Sequence, residues 1–150
     1  MAELLSDELL ANIGRKSEPR LELVTRKDIR KYAIASGQRM RKYLDGDEAP
    51  AMFHVALFWP VLENDQLSPD GVAIDELLPE FPLKKAMAGG LHIAYHQPIR
   101  PGDTLMAVRT LTKIWQKEGK SGPLLFYEIV TAIQNDKGPV ITETMTRILR

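Results

Sequence analysis

The sequence predicts an α+β fold: one long antiparallel sheet curled around a helix that is apolar on every side. Two observations carry this prediction. Residues 51–59 (Ala-Met-Phe-His-Val-Ala-Leu-Phe-Trp), set between Pro50 and Pro60, are apolar except for His54. Beyond residue 90 the chain turns into long runs rich in Thr, Val, Ile, Leu, Tyr and Phe, broken only by turn sequences.

Taken in order, residues 1–17 read as a short amphipathic helix capped by Ser6, with Leu5, Leu9, Leu10 and Ile13 at helical spacing. Arg20 to Val24 alternates like a brief strand. Thr25-Arg26-Lys27-Asp28 has the pattern of a helix-opening cap, and Ile29, Tyr32, Ala33 and Ser36 share one face until Gly37 stops the run. Residues 38–48 are polar and charged and read as an exposed loop. Pro50 suits a first helical turn and Pro60 cannot continue one, which predicts a helix of about ten residues. Lacking a polar face, it is expected to be enclosed. Residues 61–88 hold Pro69, Pro79 and Pro82 with several Asn, Asp and Gly, and read as a long connection over the surface.

Strands are expected over residues 91–97, 104–116, 124–134 and 140–149, joined by Arg100-Pro101-Gly102-Asp103, residues 119–123 and Asn135-Asp136-Lys137-Gly138. The third of these puts Phe126, Val130 and Ala132 on one face and Leu125, Tyr127, Ile129 and Ile133 on the other. Such a sheet wants cover on both sides. A sheet of this kind wrapped on one apolar helix is the hot-dog arrangement.

Composition narrows the classes. A chain of 150 residues, 44% hydrophobic, fits one globular domain over 1–150. Twenty basic and twenty acidic side chains cancel without a run of either sign, which argues against nucleic-acid partners. There is no cysteine for a disulfide, thiolate metal site or thiol nucleophile. No signal-peptide pattern and no apolar run near the roughly 20 residues of a membrane span is visible, so a cytoplasmic protein with no membrane partner is expected.

Several blocks then stand in a specific order: YAIASG (32–37), APAMFHVALFWP (49–60), LSPDG (67–71), AMAGGLHIAYHQPIRPGDTL (86–105) and KEGKSGPLLFYEI (117–129). Together they resemble the N-terminal half of MaoC-like, FAS1-like acyl-thioester dehydratases, closest to the branch holding 3-hydroxyacyl-thioester dehydratase type 2 and mesaconyl-CoA hydratase. The resemblance implies reversible hydration of a 2-enoyl thioester of coenzyme A or acyl carrier protein, with no metal or redox cofactor. It also implies fatty-acid-type metabolism and a homodimer or a heteromer of hot dogs. In the family the motif Ser-Gly-Asp-x-Asn-Pro-x-His supplies the Asp and His that handle water and proton. The matching stretch here is Ser36-Gly37-Gln38-Arg39-Met40-Arg41, with Gln38 in the aspartate's place, no Asn-Pro following and no histidine at the expected distance. The resemblance therefore implies that a partner hot dog carries the dyad and this chain supplies acyl-pocket and interface surface.

Candidate residues follow. His54 is the catalytic candidate, though a core histidine with both nitrogens satisfied, or a cleft-lining group, accounts for it as well. Ala51, Met52, Phe53, Phe58 and Trp59 are candidates for the acyl pocket, against plain core packing. The first amides of their helix, around residues 51–54, are candidates to hold the charge of a thioester enolate, against capping by loop carbonyls or water. Gly89 and Gly90 allow close approach of a pantetheine arm or a tight turn, and His92 beside them is a candidate for the pocket wall, against a structural or dimer-facing role. His92 and His96, four apart in a strand, sit about 13 Å from each other and form no chelate. Arg100, Lys117 and Lys120 lie in turns where coenzyme A phosphates can be met, or are simply solvated. Alternatives are a hot-dog thioesterase, which needs a carboxylate near the central helix where Glu63 and Asp65 are the nearest in sequence, and a non-catalytic acyl-thioester-binding protein.

Overall fold

The computed structural model describes residues 4–150; residues 1–3, the start of the predicted 1–17 helix, lie outside the described residues. The elements are α1 (Asp7–Leu10), β1 (Arg20–Leu23), α2 (Arg26–Ala35), α3 (Arg41–Leu44), α4 (Phe53–Leu57), then β2 (Ala86–Tyr95), β3 (Thr104–Gly119), β4 (Gly122–Asn135) and β5 (Gly138–Leu149). All five strands pair antiparallel in one sheet of order β1-β3-β4-β5-β2. This is the hot-dog fold, with α4 on the concave face.

α2 shows how local chemistry sets an element. The Thr25 hydroxyl accepts from Asp28 N–H at 3.1 Å, Ile29 and Ala33 are buried, and Gly37 at φ 74° closes the helix. There Gln38 N–H donates to Ala33 O and Gly37 N–H to Ile34 O, a Schellman stop. The helix expected over 1–17 shortens to Asp7–Leu10, capped by Ser6, with Leu9 buried. The predicted exposed loop 38–48 contains the one-turn α3.

The central helix differs most from expectation. It has five residues instead of about ten, because Met52 adopts a left-handed backbone (φ 68°) that breaks the run from Pro50. It is also only half enclosed: Phe53 and His54 are buried, while Ala51, Ala56 and Trp59 face solvent. The sheet covers one side, and the other is left open.

β2 begins at Ala86, five residues before the predicted start, so Gly89 and Gly90 lie inside a strand and make no turn into it. The β2–β5 register shifts between Ala88 and Gly90. A side chain at Gly89 would stand 3.0 Å from Thr146 O and Ile148 Cγ1, so the bulge needs glycine there. The long connection does more than cross the surface. Leu77 and Phe81 are buried in it, and Phe81 stacks on Tyr127 with centroids 5.1 Å apart.

The interior falls into two apolar clusters. One holds Leu9, Leu77, Phe81, Leu111, Leu125, Ile129 and Leu149; the other holds Val24, Ile29, Phe53, Leu105, Ile133 and Ile141. As β4's alternation predicts, Leu125, Tyr127, Ile129 and Ile133 are all buried, whereas Phe126, Val130 and Ala132 keep some exposure.

Candidate functional site

Between the two apolar clusters a polar row crosses the concave face. Register places Arg109 of β3 beside Thr131 of β4, and Thr131 beside Glu143 of β5. Ser17 extends the row past Arg109: its hydroxyl accepts from Arg109 N–H at 3.0 Å. Each end is anchored by a partner from above the sheet. Arg109 forks onto Asp75 through two bonds of 3.1 and 2.7 Å. Glu143 Oε2 meets His54 Nε2 at 2.7 Å.

His54 is 4% exposed and Glu143 17%, so this contact is sheltered from water on both sides. With Glu143 a carboxylate, His54 Nε2–H is the donor, which leaves Nδ1 as the other ring nitrogen. Nδ1 is buried and has no hydrogen-bond partner among the described residues. The expectation of a histidine with both nitrogens satisfied is thus half met. The Tyr95 ring packs edge-on to the imidazole, with centroids 6.4 Å apart.

The row floors a cavity of about 410 Å³ under α4, with Val55, Phe58, Trp59, Leu62, Ile74, Ala107 and Ile133 as its apolar walls and His54, Asp75, Arg109, Thr131 and Glu143 as its polar part. A second cavity of about 450 Å³ opens at the other end of α4, lined by Ala49, Pro50, Ala51, Tyr95, Gln97 and Ile141. His54 lines both and stands between them. Apolar walls with a few converging polar groups are the usual make-up of a small-molecule site.

Other candidate residues separate from this site. Phe53 packs in the core against Tyr32, with centroids 5.8 Å apart. Met52 and Trp59 lie on the outer side of α4 together with Tyr32 and Ala56, although Trp59 also reaches the rim of the lower cavity. Two of the helix-start amides of residues 51–54 are occupied: Met52 N–H donates to Tyr95 Oη at 3.1 Å and Phe53 N–H to Pro50 O. Gly89, Gly90 and His92 lie on the exposed edge strand, away from either cavity. His96 bonds the Thr142 hydroxyl at 2.9 Å. Arg100 and Lys120 are exposed turn residues. Ser36 to Arg41 follows α2 on the surface, with Gln38 half-buried.

Glu143, Asp75, Arg109 and Thr131 were not among the sequence candidates. One signal was present: in Val-Ile-Thr-Glu-Thr-Met-Thr-Arg-Ile-Leu (140–149), strand alternation sets Glu143 on the same face as Ile141, Met145 and Leu149. A carboxylate on an inward face needs a partner.

The fold places the chain among hot-dog proteins. The family model described as "FAS1-like, dehydratase domain region" matches residues 11–144, and the chain belongs to that family. Mesaconyl-C(4)-CoA hydratase of Chloroflexus aurantiacus is 33% identical over 81 residues, 53% of this chain and 29% of the relative. The match therefore spans less than a third of that protein's length. Among solved structures, the ChsH1–ChsH2 complex from Mycobacterium tuberculosis superposes with a TM-score of 0.72 at 19% identity, covering 95% of this chain and 89% of that one. The HadBC (3R-hydroxyacyl-ACP dehydratase) complex from the same organism gives a TM-score of 0.55 at 15% identity over 91% and 96%. Among the described residues no helix is long and apolar enough to cross a membrane.

Proposed function

We propose that this chain is the acyl-binding subunit of a hydratase/dehydratase acting on 2-enoyl thioesters of coenzyme A or acyl carrier protein, with the Asp/His dyad supplied by a partner hot dog. The observation that carries the reading is a site complete as a pocket and incomplete as a catalyst. An apolar cavity lies under the central helix, yet Gln38, which cannot ionise, stands where the family's motif has its aspartate, and no histidine stands at the motif's distance from it. In the reaction, water bonds through oxygen to the β-carbon, the alkene electrons move toward the thioester carbonyl, and a proton is delivered to the α-carbon. The partner's carboxylate and imidazole direct the water and move the protons. This chain's part is to hold the acyl tail against Val55, Phe58 and Ile133 so that the alkene is presented at a fixed place.

A surface for that partner is available. β2 is one of the two outer strands of the sheet, ten residues long, with Met87, Leu91 and Tyr95 37–51% exposed. An unpaired, apolar edge of that length favours strand-to-strand association. Two of the similar structures are described as complexes, which supports a heteromer. The test is hydration of crotonyl-CoA and longer 2-enoyl-CoA, followed by loss of absorbance of the conjugated thioester. The purified chain is expected to show little, and the chain co-purified with a dyad-bearing hot dog is expected to be active. Full activity of the chain alone would overturn the reading.

One observation favours the thioesterase alternative: folding brings Glu143 to the central helix, the place where that chemistry needs a carboxylate. Thiol release from acyl-CoA by the chain alone, abolished in Glu143→Gln, would select it.

A further inference from the structure

We infer that the cavity under α4 selects acyl groups carrying a hydroxyl along the tail over plain alkyl and over carboxylate-ended ones. The inference rests on the proposed acyl-binding role and names the chemical class that the floor of the pocket fits.

The floor is built with hydrogen-bonding capacity to spare. His54 takes one oxygen of Glu143; Oε1 has no hydrogen-bond partner among the described residues, and neither has the Thr131 hydroxyl. The two residues are cross-strand neighbours, and both line the cavity. Behind them the buried His54 Nδ1 is unpartnered as well. The charged groups around them are already committed: Arg109 is held by Asp75, and Arg20 by Phe58 O and Glu22.

A plain hydrocarbon tail that fills this space displaces water from Oε1 and the Thr131 hydroxyl without replacing its bonds, which costs affinity. A carboxylate end meets Glu143 as a like charge, with both nearby guanidinium groups engaged. A hydroxyl is complementary to both groups, because it donates to Glu143 Oε1 and accepts from the Thr131 hydroxyl. A hydrogen bond to a charged acceptor made in place of an unpaired one supports a preference of about tenfold or more.

The test is calorimetric binding of matched coenzyme A thioesters to the full chain: plain acyl, ω-hydroxyacyl and ω-carboxyacyl, from hexanoyl to dodecanoyl length. Emission of Trp59, at the cavity rim, reports where the tail sits, with Trp59→Phe to measure the Trp115 background that is subtracted. The expected result is that, at one or more lengths, the hydroxylated thioester binds about tenfold tighter than its plain and carboxylated counterparts. Thr131→Val and Glu143→Gln, both close in shape to the native residue, are each expected to erase most of that preference while their melting curves stay cooperative. Equal or tighter binding of the plain thioester at every length, a preference that survives both variants, or no binding of any thioester would overturn the inference. Binding needs no catalysis, so an inactive pair with the preference intact would count against the hydratase reading alone.

Discussion

Truncating Phe53 and Trp59, six residues apart on the same segment, separates a half-enclosed central helix from an enclosed one. Phe53 is 2% exposed and packs among Ile29, Leu105 and Ile133, with Tyr32 edge-on; Trp59 is 71% exposed. For Phe53→Ala, losing a buried phenyl ring removes about 2–3 kcal/mol of transfer energy. The aromatic contact adds about 1 kcal/mol, and the residual cavity brings the total to about 3–5 kcal/mol. In a chain of this length that lowers the melting temperature by roughly 6–20 °C. Trp59→Ala removes mostly solvated surface and is expected to cost below about 0.5 kcal/mol. Urea titrations at one fixed protein concentration, followed by far-ultraviolet circular dichroism, measure both, the fixed concentration being needed because association shifts apparent stability. A Phe53→Ala cost under half a kcal/mol would refute the packing described, and equal costs at the two positions would refute the half-open helix.

Asp75→Asn leaves Arg109 without its carboxylate, and because both side chains are about one-third exposed the cost is expected at about 1–2 kcal/mol in the same titration. Burial pushes the Tyr127 hydroxyl above its ordinary value, with Arg147 drawing it part of the way back. In the unfolded chain it ionises near pH 10 and in the folded chain only above that, so it opposes unfolding below pH 10 and that contribution declines as pH rises further. Tyr127→Phe should fall less steeply there, and parallel stability curves would refute this. Sedimentation across a wide concentration range is expected to give a mass above the monomer's 16.9 kDa, with Leu91→Lys on the edge strand shifting it downward. In an active pair His54→Gln is expected to keep hydration of crotonyl-CoA within a few-fold, whereas loss of a true general base costs about 10²–10⁴-fold in kcat.

What the sequence revealed and what it hid divide along the range of the interactions involved. α2 and the three long strands are written in caps, alternation and turns within a few residues, and they stand where those signals put them. α4 is shorter than its flanking prolines suggest, because a left-handed Met52 held by Tyr95, 43 positions away, decides its start. The start of β2 was hidden by Gly89-Gly90, which read locally as a turn and function as a bulge against β5. His54 was visible as an oddity in an apolar run, but its partner lies 89 positions away and only the folded register brings the two together. Beyond the alternation that turns Glu143 inward, the polar row has no local signature, since its members and their anchors come from three strands, two loops and α4.

The bulge at Gly89 also determines which side of β2 faces inward. Before it, Ala86 and Ala88 pair with Leu149 and Arg147; after it, Leu91, Ile93 and Tyr95 pair with Met145, Glu143 and Ile141. The inward set thus switches from even to odd positions across one extra residue. Pairing the same residues without the bulge would turn the second half of the strand over, sending Tyr95 away from Met52 and bringing His92 and Ala94 inside, whereas deleting one glycine would remove the bulge and leave Leu91, Ile93 and Tyr95 facing inward. The extra residue therefore joins two runs of opposite phase, and a one-residue deletion is expected to be tolerated better at the glycines than among residues 91–95, where it would set the remaining side chains on the wrong face.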